Sequence, residues 1–81
     1  MKLIVLNLPR DLSEDELTNL FEDFGQIKTS NLVLDTKTGK SKGFGFVEMT
    51  EQNDAEAAIE ELHGRKINKN KIRVKPAGLQ G

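Results

Sequence analysis

Two phenylalanine rings lie among glycines and charged residues in the stretch KGFGFVEM, which spans 42–49. They are Phe44 and Phe46, two of the four aromatic residues in the chain. Aromatic rings on a wet surface can stack on flat ligand groups, and cations beside them can bind phosphates. In the segment 65–75 every charged residue is such a cation: Arg65, Lys66, Lys69, Lys71, Arg73 and Lys75. Whether the rings and the cations act together depends on the elements that position them.

The alternation of side chains along a strand decides which way the two rings point. One parity of 42–49 holds both rings with Lys42 and Glu48, and the other holds Gly43, Gly45, Val47 and Met49. Because burying an unpaired charge is costly, the parity with the charges should face water. The rings could instead fill the core, but their charged neighbours favour exposure. The sequence therefore predicts both rings on an uncovered sheet face, beside a basic row formed by Lys71, Arg73 and Lys75.

The first helix has clear start and stop signals. Ser13 followed by Glu16 makes a capping box, in which each side chain bonds the other residue's backbone N–H. Apolar residues then recur at helical spacing: Leu17, Leu20, Phe21 and Phe24. Gly25 follows as a terminator. These signals predict a helix over 14–24 that buries one face.

The remaining segments complete a familiar order of elements. We predict strands at Lys2–Leu8, Ile27–Asp35, Gly43–Met49 and Lys71–Lys75, with a second helix at 52–62. The order β-α-β-β-α-β predicts an α+β, ferredoxin-like sandwich, in which two helices pack on one face of a four-stranded antiparallel sheet. The other sheet face is left open, and it is the face predicted to hold the rings.

Composition limits what such a domain can do. The chain has 81 residues, enough for one small domain, and a formal net charge of −1. It has no cysteine and a single histidine, His63, so we expect no disulfide, no metal site and no cofactor. His63 is expected to cap the second helix or to be solvated. The apolar run LIVLNL is too short to span a bilayer, and the predicted location is cytoplasmic.

The motifs resemble those of the RNA recognition motif family. KGFGFVEM is similar to the RNP1 octamer of that family, and LIVLNL at 3–8 resembles its RNP2 hexamer. The similarity extends along nearly the whole chain, which implies an RNA recognition motif domain at 1–76 and a short C-terminal tail at 77–81. Within the family the chain looks like the stand-alone, single-domain proteins of bacteria.

The resemblance implies a binding site on the open sheet face. Phe44 and Phe46 match the RNP1 rings that stack on bases, and Lys42 matches a basic residue that meets a phosphate. The implied RNA-binding set adds the neighbouring positions Ile4, Leu6, Asn7, Val33, Glu48, Lys71, Arg73 and Lys75. Asn7 matches the RNP2 asparagine, but a residue of this type can equally be a turn residue at the end of a strand.

Two residues depart from the family pattern. Ile4 occupies the position that usually supplies a third stacking ring, and Met49 replaces the last RNP1 aromatic. The loss of one stacking partner should weaken binding by about 5- to 150-fold. We therefore expect a monomeric, non-enzymatic binder of single-stranded RNA with modest affinity, low sequence specificity and a marked salt dependence. Single-stranded DNA is a second candidate ligand.

Two other functions remain as alternatives. The helices are rich in acidic residues and could dock a protein partner, which would make the domain a protein-interaction module. Acylphosphatases share the predicted topology and use an arginine with an asparagine, and Arg10 and Asn31 lie in roughly those places. The first loop, NLPRDLS, lacks the glycine-rich phosphate cradle of such enzymes, so this alternative is remote.

Overall fold

The structure is a computed structural model that describes residues 1–77. Its elements, in chain order, are β1 (Lys2–Leu6), α1 (Glu14–Glu22), β2 (Ile27–Leu34), β3 (Ser41–Met49), α2 (Gln52–Leu62), β4 (Lys66–Ile67), β5 (Asn70–Lys71) and β6 (Arg73–Pro76). Except for Ala77, the predicted tail at 77–81 lies outside the described residues.

The main sheet has four antiparallel strands in the order β2-β3-β1-β6. Both helices contribute to a core on one face of this sheet. The core residues exposed by 1% or less are Leu3, Val5, Leu8, Leu17, Phe21, Val47, Met49, Ala55, Ala58, Leu62, Ile72 and Val74. The predicted ferredoxin-like fold is confirmed, and no helix within residues 1–77 covers the second face of the sheet.

Helix α1 begins as predicted and ends earlier. The Ser13 hydroxyl accepts a bond from the Glu16 N–H at 3.1 Å, and the Glu16 carboxylate accepts one from the Ser13 N–H at 2.8 Å. At the other end, the Phe24 N–H donates to Phe21 O and the Gly25 N–H donates to Glu22 O. These bonds span three residues, so the chain tightens into a 3₁₀-type turn and the α-helix stops at Glu22.

The prediction of one continuous last strand over Lys71–Lys75 is wrong. Lys71 belongs to β5, which pairs with β4 in a separate two-stranded sheet, and the strand of the main sheet starts at Arg73. Asn68, in the turn between β4 and β5, has a φ of 55°. Asparagine tolerates this left-handed conformation better than most residues, so the sequence INKN can form a tight hairpin.

The residues just before the hairpin extend its pairing to Ile72, between β5 and β6. The Gly64 N–H donates to Ile72 O at 2.8 Å, and the Ile72 N–H donates to Arg65 O at 3.0 Å. The Nδ1 of His63 then lies 3.1 Å from both the nitrogen and the oxygen of Val74, and it bonds one of them according to the tautomer of the ring. His63 therefore occupies the backbone edge of β6, a role that goes beyond the predicted cap of α2.

Strand β2, at the opposite edge of the sheet, is hydrogen-bonded by side chains of α1. The Glu14 carboxylate accepts a hydrogen bond from the Leu32 N–H at 2.9 Å, and the Thr18 hydroxyl donates to the Ser30 hydroxyl at 2.9 Å. Both partners project from α1. The helix thus holds the edge strand by polar bonds as well as by apolar packing.

Gly45 lets α1 and β2 approach β3 closely. A Cβ built on Gly45 would lie 2.6 Å from the Asn31 carbonyl oxygen and 3.0 Å from Leu17 Cδ2. The first of these is a backbone atom, which cannot move aside by changing rotamer. The residue between the two rings is therefore a glycine for reasons of packing on the face opposite to them.

We expect Gly45→Ala to lower the free energy of unfolding by about 1–3 kcal/mol, because the added methyl group overpacks the contact with β2. Chemical denaturation followed by circular dichroism measures this change. Alanine restricts the unfolded chain more than glycine does, which by itself would stabilise the fold. An unchanged or higher free energy of unfolding would therefore contradict the close packing.

Candidate nucleic-acid interface

The two rings of β3 lie on the sheet face away from the helices. Val47 and Met49, on the other parity of β3, are buried in the core, whereas Phe44 and Phe46 are half-buried. The ring centroids are 6.2 Å apart and the planes meet at 81°, an edge-to-face arrangement. The rings therefore form a contiguous aromatic surface that remains partly open to water.

Strand β1 runs beside this surface and contributes aliphatic side chains. Ile4 pairs with Phe46 on one side and with Lys75 on the other, and Leu6 pairs with Arg73. Ile4 and Leu6 are both half-buried. The centre of the open face is thus apolar but has no third ring, in agreement with the departure noted at Ile4.

The basic row at the β6 side is shorter than predicted. Arg73 and Lys75 are exposed on β6, opposite Leu6 and Ile4. Lys71 is also exposed, but it lies in the hairpin, outside the main sheet. The correction follows from the hairpin bonds described above, which take 70–71 away from β1. Two cations therefore border the apolar centre directly, and Lys71 lies beyond its end.

Asn7 ends β1, with a φ of 60°. Its Nδ2 donates to Lys71 O at 3.0 Å, and the Asn70 Nδ2 donates to Asn7 O at 3.2 Å. Asn7 is thus a strand-end residue that ties β1 to the hairpin, and its predicted contact with RNA stays a prediction. The strand predicted to reach Leu8 stops at Leu6 because Asn7 turns the chain.

At the other end of the open face, Lys2 and Glu48 pair across β1 and β3. The Lys2 ammonium lies 5.3 Å from the centre of the Phe46 ring, within cation–π range. Lys2 was absent from the predicted site. Lys2 has the same strand parity as Ile4 and Leu6, so the sequence places it on the open face. Its closeness to Phe46 becomes clear only from the register between β1 and β3.

Strand β2 adds a polar border on the far side of the rings. Asn31 pairs with Phe46, and Thr29 pairs with Glu48. Val33 follows on the same parity as Asn31 and is half-buried. Asn31 was considered only as an enzyme residue, but its amide lies next to the aromatic surface, where it can hydrogen-bond a flat polar ligand.

The positions of Arg10 and Asn31 do not support an active site of the acylphosphatase type. Arg10 donates from Nη1 to the Ser41 carbonyl oxygen at 3.5 Å, at the start of β3, whereas Asn31 borders the rings. Within 1–77, no group of three or more histidine or acidic side chains is arranged to hold a metal ion. None of the described helices has the length and apolar character needed to cross a membrane.

Comparison with known proteins assigns the family. The model of the RNA recognition motif matches residues 3–73. Cleavage and termination factor 1 of Schizosaccharomyces pombe is 39% identical over 72 residues, which cover 89% of this chain and 20% of that protein. The chloroplastic RNA-binding protein CP31B of Arabidopsis thaliana is 37% identical over 76 residues, 94% of this chain and 26% of that protein. The chain belongs to the RNA recognition motif family.

Solved structures agree with this assignment. The crystal structure of RNA binding protein PG1 matches with a TM-score of 0.94 and 40% identity, over 100% of this chain and 98% of that one. The Sxl-lethal protein in complex with RNA matches with a TM-score of 0.92 and 38% identity, over 99% of this chain and 48% of that one. The family consists of RNA-binding domains without enzymatic activity, so the prediction of a non-enzymatic domain is confirmed.

Proposed function

We propose that this domain binds single-stranded RNA on the open face of its sheet, with bases stacked on Phe44 and Phe46. One observation supports this most directly: the two rings are half-buried on a face without helices, across β1 from the exposed cations Arg73 and Lys75. Rings stack on bases at about 1–3 kcal/mol per base, and cations neutralise the phosphates. Lys42, exposed at the start of β3, adds a further cation.

The same surface supports modest affinity and low sequence specificity. Ile4 contributes apolar contact but no ring, so two stacking positions remain on the sheet. Stacking and phosphate contacts are tolerant of base identity. We extend the proposal to single-stranded DNA as a second ligand, since stacking and phosphate contacts do not need a 2′-hydroxyl group.

An NMR titration with short mixed-sequence RNA and DNA oligonucleotides tests the proposal. We expect the largest shifts at Phe44, Phe46, Lys42 and Arg73, with small changes on the helices. The logarithm of affinity should fall with the logarithm of salt concentration, by about 0.7 for each phosphate contact. Shifts confined to α1 and α2 would overturn the proposal and favour the protein-interaction alternative, which rests on the acidic first turn of α1.

The variant Ile4→Tyr is expected to bind RNA more tightly, by about 5- to 150-fold, because it supplies a ring next to Phe46. Fluorescence anisotropy with a labelled oligonucleotide measures the change. Ile4→Leu, which keeps an aliphatic side chain, should bind as the parent does. If the tyrosine variant is folded and its affinity is unchanged or lower, β1 does not provide a stacking position.

The wider setting of the domain remains a set of predictions. The chain spans between 20% and 28% of the length of the curated relatives it matches. Those relatives come from a yeast and from plants, and one is chloroplastic, so the resemblance to bacterial single-domain proteins and the cytoplasmic location stay predictions. We also retain domain limits of 1–76 and a monomeric state as proposals.

A further inference from the structure

A polar cavity of about 410 Å³ lies at one end of the open face, where β1 ends and β3 and β6 begin. Its lining includes the Phe44 ring, Asn70 of the hairpin and three cationic side chains: Arg10, Lys42 and Arg73. These residues come from the loop after β1, from β3, from β5 and from β6. The cavity therefore joins the aromatic surface to a cluster of positive charge that lies outside the sheet.

The backbone of β3 at Gly43 leaves room for the Arg10 side chain. Gly43 has a φ of 86°, and a Cβ on this residue would lie 3.0 Å from Arg10 Nε. The absence of a side chain on Gly43 thus makes room for the guanidinium. Arg10 donates one bond, from Nη1 to Ser41 O, and a guanidinium has five N–H donors. Arg10 is exposed and this bond is long, at 3.5 Å, so its guanidinium donors are open to a ligand.

The hairpin places Asn70 at the same cavity. The Asn70 Nδ2 donates to Asn7 O, and Asn7 in turn donates to Lys71 O, so the amide has a fixed position. A second cavity of about 480 Å³ continues past Arg10 and Asn70, and its lining adds Lys69 and the acidic residue Asp11. The positive charge is therefore concentrated in the first cavity, between the Phe44 ring and Arg10, and is partly offset by Asp11 beyond it.

The opposite end of the open face has a different charge. There Glu48 lies across from Lys2, and Lys2 is already close to the Phe46 ring. A polyanionic strand that leaves the rings at that end meets one carboxylate and one cation, whereas at the Phe44 end it meets three cations. Electrostatic attraction thus favours an extension of the bound strand toward Arg10.

We propose that Arg10, with Asn70 and Arg73, forms a phosphate subsite for one nucleotide beyond those stacked on Phe44 and Phe46. The inference rests on the proposed function, since it concerns the same bound strand. Guanidinium groups bind phosphate oxygens through paired N–H donors, and Arg10 and Arg73 both line the cavity. The Asn70 amide can bond the same phosphate or its sugar.

Two mixed-sequence RNA ligands without terminal phosphates test the subsite: dinucleotides, which can occupy only the rings, and hexanucleotides, which extend past them. We expect Arg10→Ala to weaken hexanucleotide binding by about 5- to 30-fold and to reduce its salt slope by about 0.7. Dinucleotide binding, followed by NMR titration, should change less than twofold. Arg65→Ala is the matched control, because Arg65 lies outside both cavities, and it should affect neither ligand.

The subsite is overturned if Arg10→Ala weakens both ligands equally, or if it weakens the hexanucleotide no more than Arg65→Ala does. If the alanine variant is unfolded, Arg10→Gln replaces it, because glutamine keeps a donor for Ser41 O, and the same two results would overturn the subsite. Failure of the proposed function has a distinct signature: Phe44→Ala would then leave both ligands unaffected. If binding depends on Phe44 but not on Arg10, the stacking surface is retained and the subsite is rejected.

Discussion

Replacing Phe44 and Phe46 together by alanine is expected to lower the affinity for single-stranded RNA by at least about 30-fold. Each ring is expected to contribute about 1–3 kcal/mol through stacking on one base. Each single variant should lose less affinity than the double variant. The two losses of binding free energy need not add up to that of the double variant. The two rings are in edge-to-face contact with their centroids 6.2 Å apart, so removing one ring also removes packing contacts of the other.

Fluorescence anisotropy or calorimetry with one labelled hexanucleotide measures all three variants. Phe24→Ala is the matched control, because Phe24 is a partly buried phenylalanine that packs against the core rather than on the open face. Its affinity should equal that of the parent at a temperature where both are folded. If the double variant binds within a factor of about three of the parent, the bases do not stack on β3 and the proposed function is wrong.

Phe21→Ala should have the largest effect on stability, a loss of about 3–5 kcal/mol in the free energy of unfolding. Phe21 is fully buried on α1 and is the largest fully buried side chain in the described chain. Its truncation leaves a cavity between the helix and the sheet. A domain of 81 residues is expected to have only about 4–12 kcal/mol in total, so this variant should be close to unfolded at 37 °C.

Urea denaturation followed by circular dichroism measures the free energy of unfolding of the parent and of the Phe21→Ala variant. Phe24→Ala again serves as the reference, and the partly buried position of Phe24 implies a smaller loss than at Phe21. At low temperature, where Phe21→Ala is still folded, its RNA affinity should match the parent. A loss of stability no greater than that of Phe24→Ala would show that the core around α1 can collapse onto the vacated space.

Local patterns were enough to predict most of the fold. The capping box at Ser13 and the apolar spacing along α1 report interactions between neighbours in sequence, and the structure contains both. Strand parity placed Phe44 and Phe46 on the open face because Lys42 and Glu48 share their parity. Such signals depend on a few consecutive residues, so they can be recognised without knowledge of the tertiary structure.

The errors occur where distant segments decide the outcome. Lys71 follows the alternation of a strand, but hydrogen bonds between 63–67 and 70–74 place it in a hairpin instead. Lys2 approaches Phe46 only because of the register between β1 and β3. Arg10 reaches the open face across Gly43, where a Cβ would crowd its Nε. None of these relations is encoded in a short stretch of sequence.

The bonds at the two borders of the sheet have a consequence for how copies of the domain meet. An unpaired strand edge is a template for another strand, and such pairing leads to aggregation. Here the Glu14 carboxylate accepts from the Leu32 N–H of β2, and the His63 ring bonds the backbone of Val74 on the outer side of β6. Each edge therefore has one backbone position already bonded within the domain, which works against the pairing of its edge strands with those of a second copy.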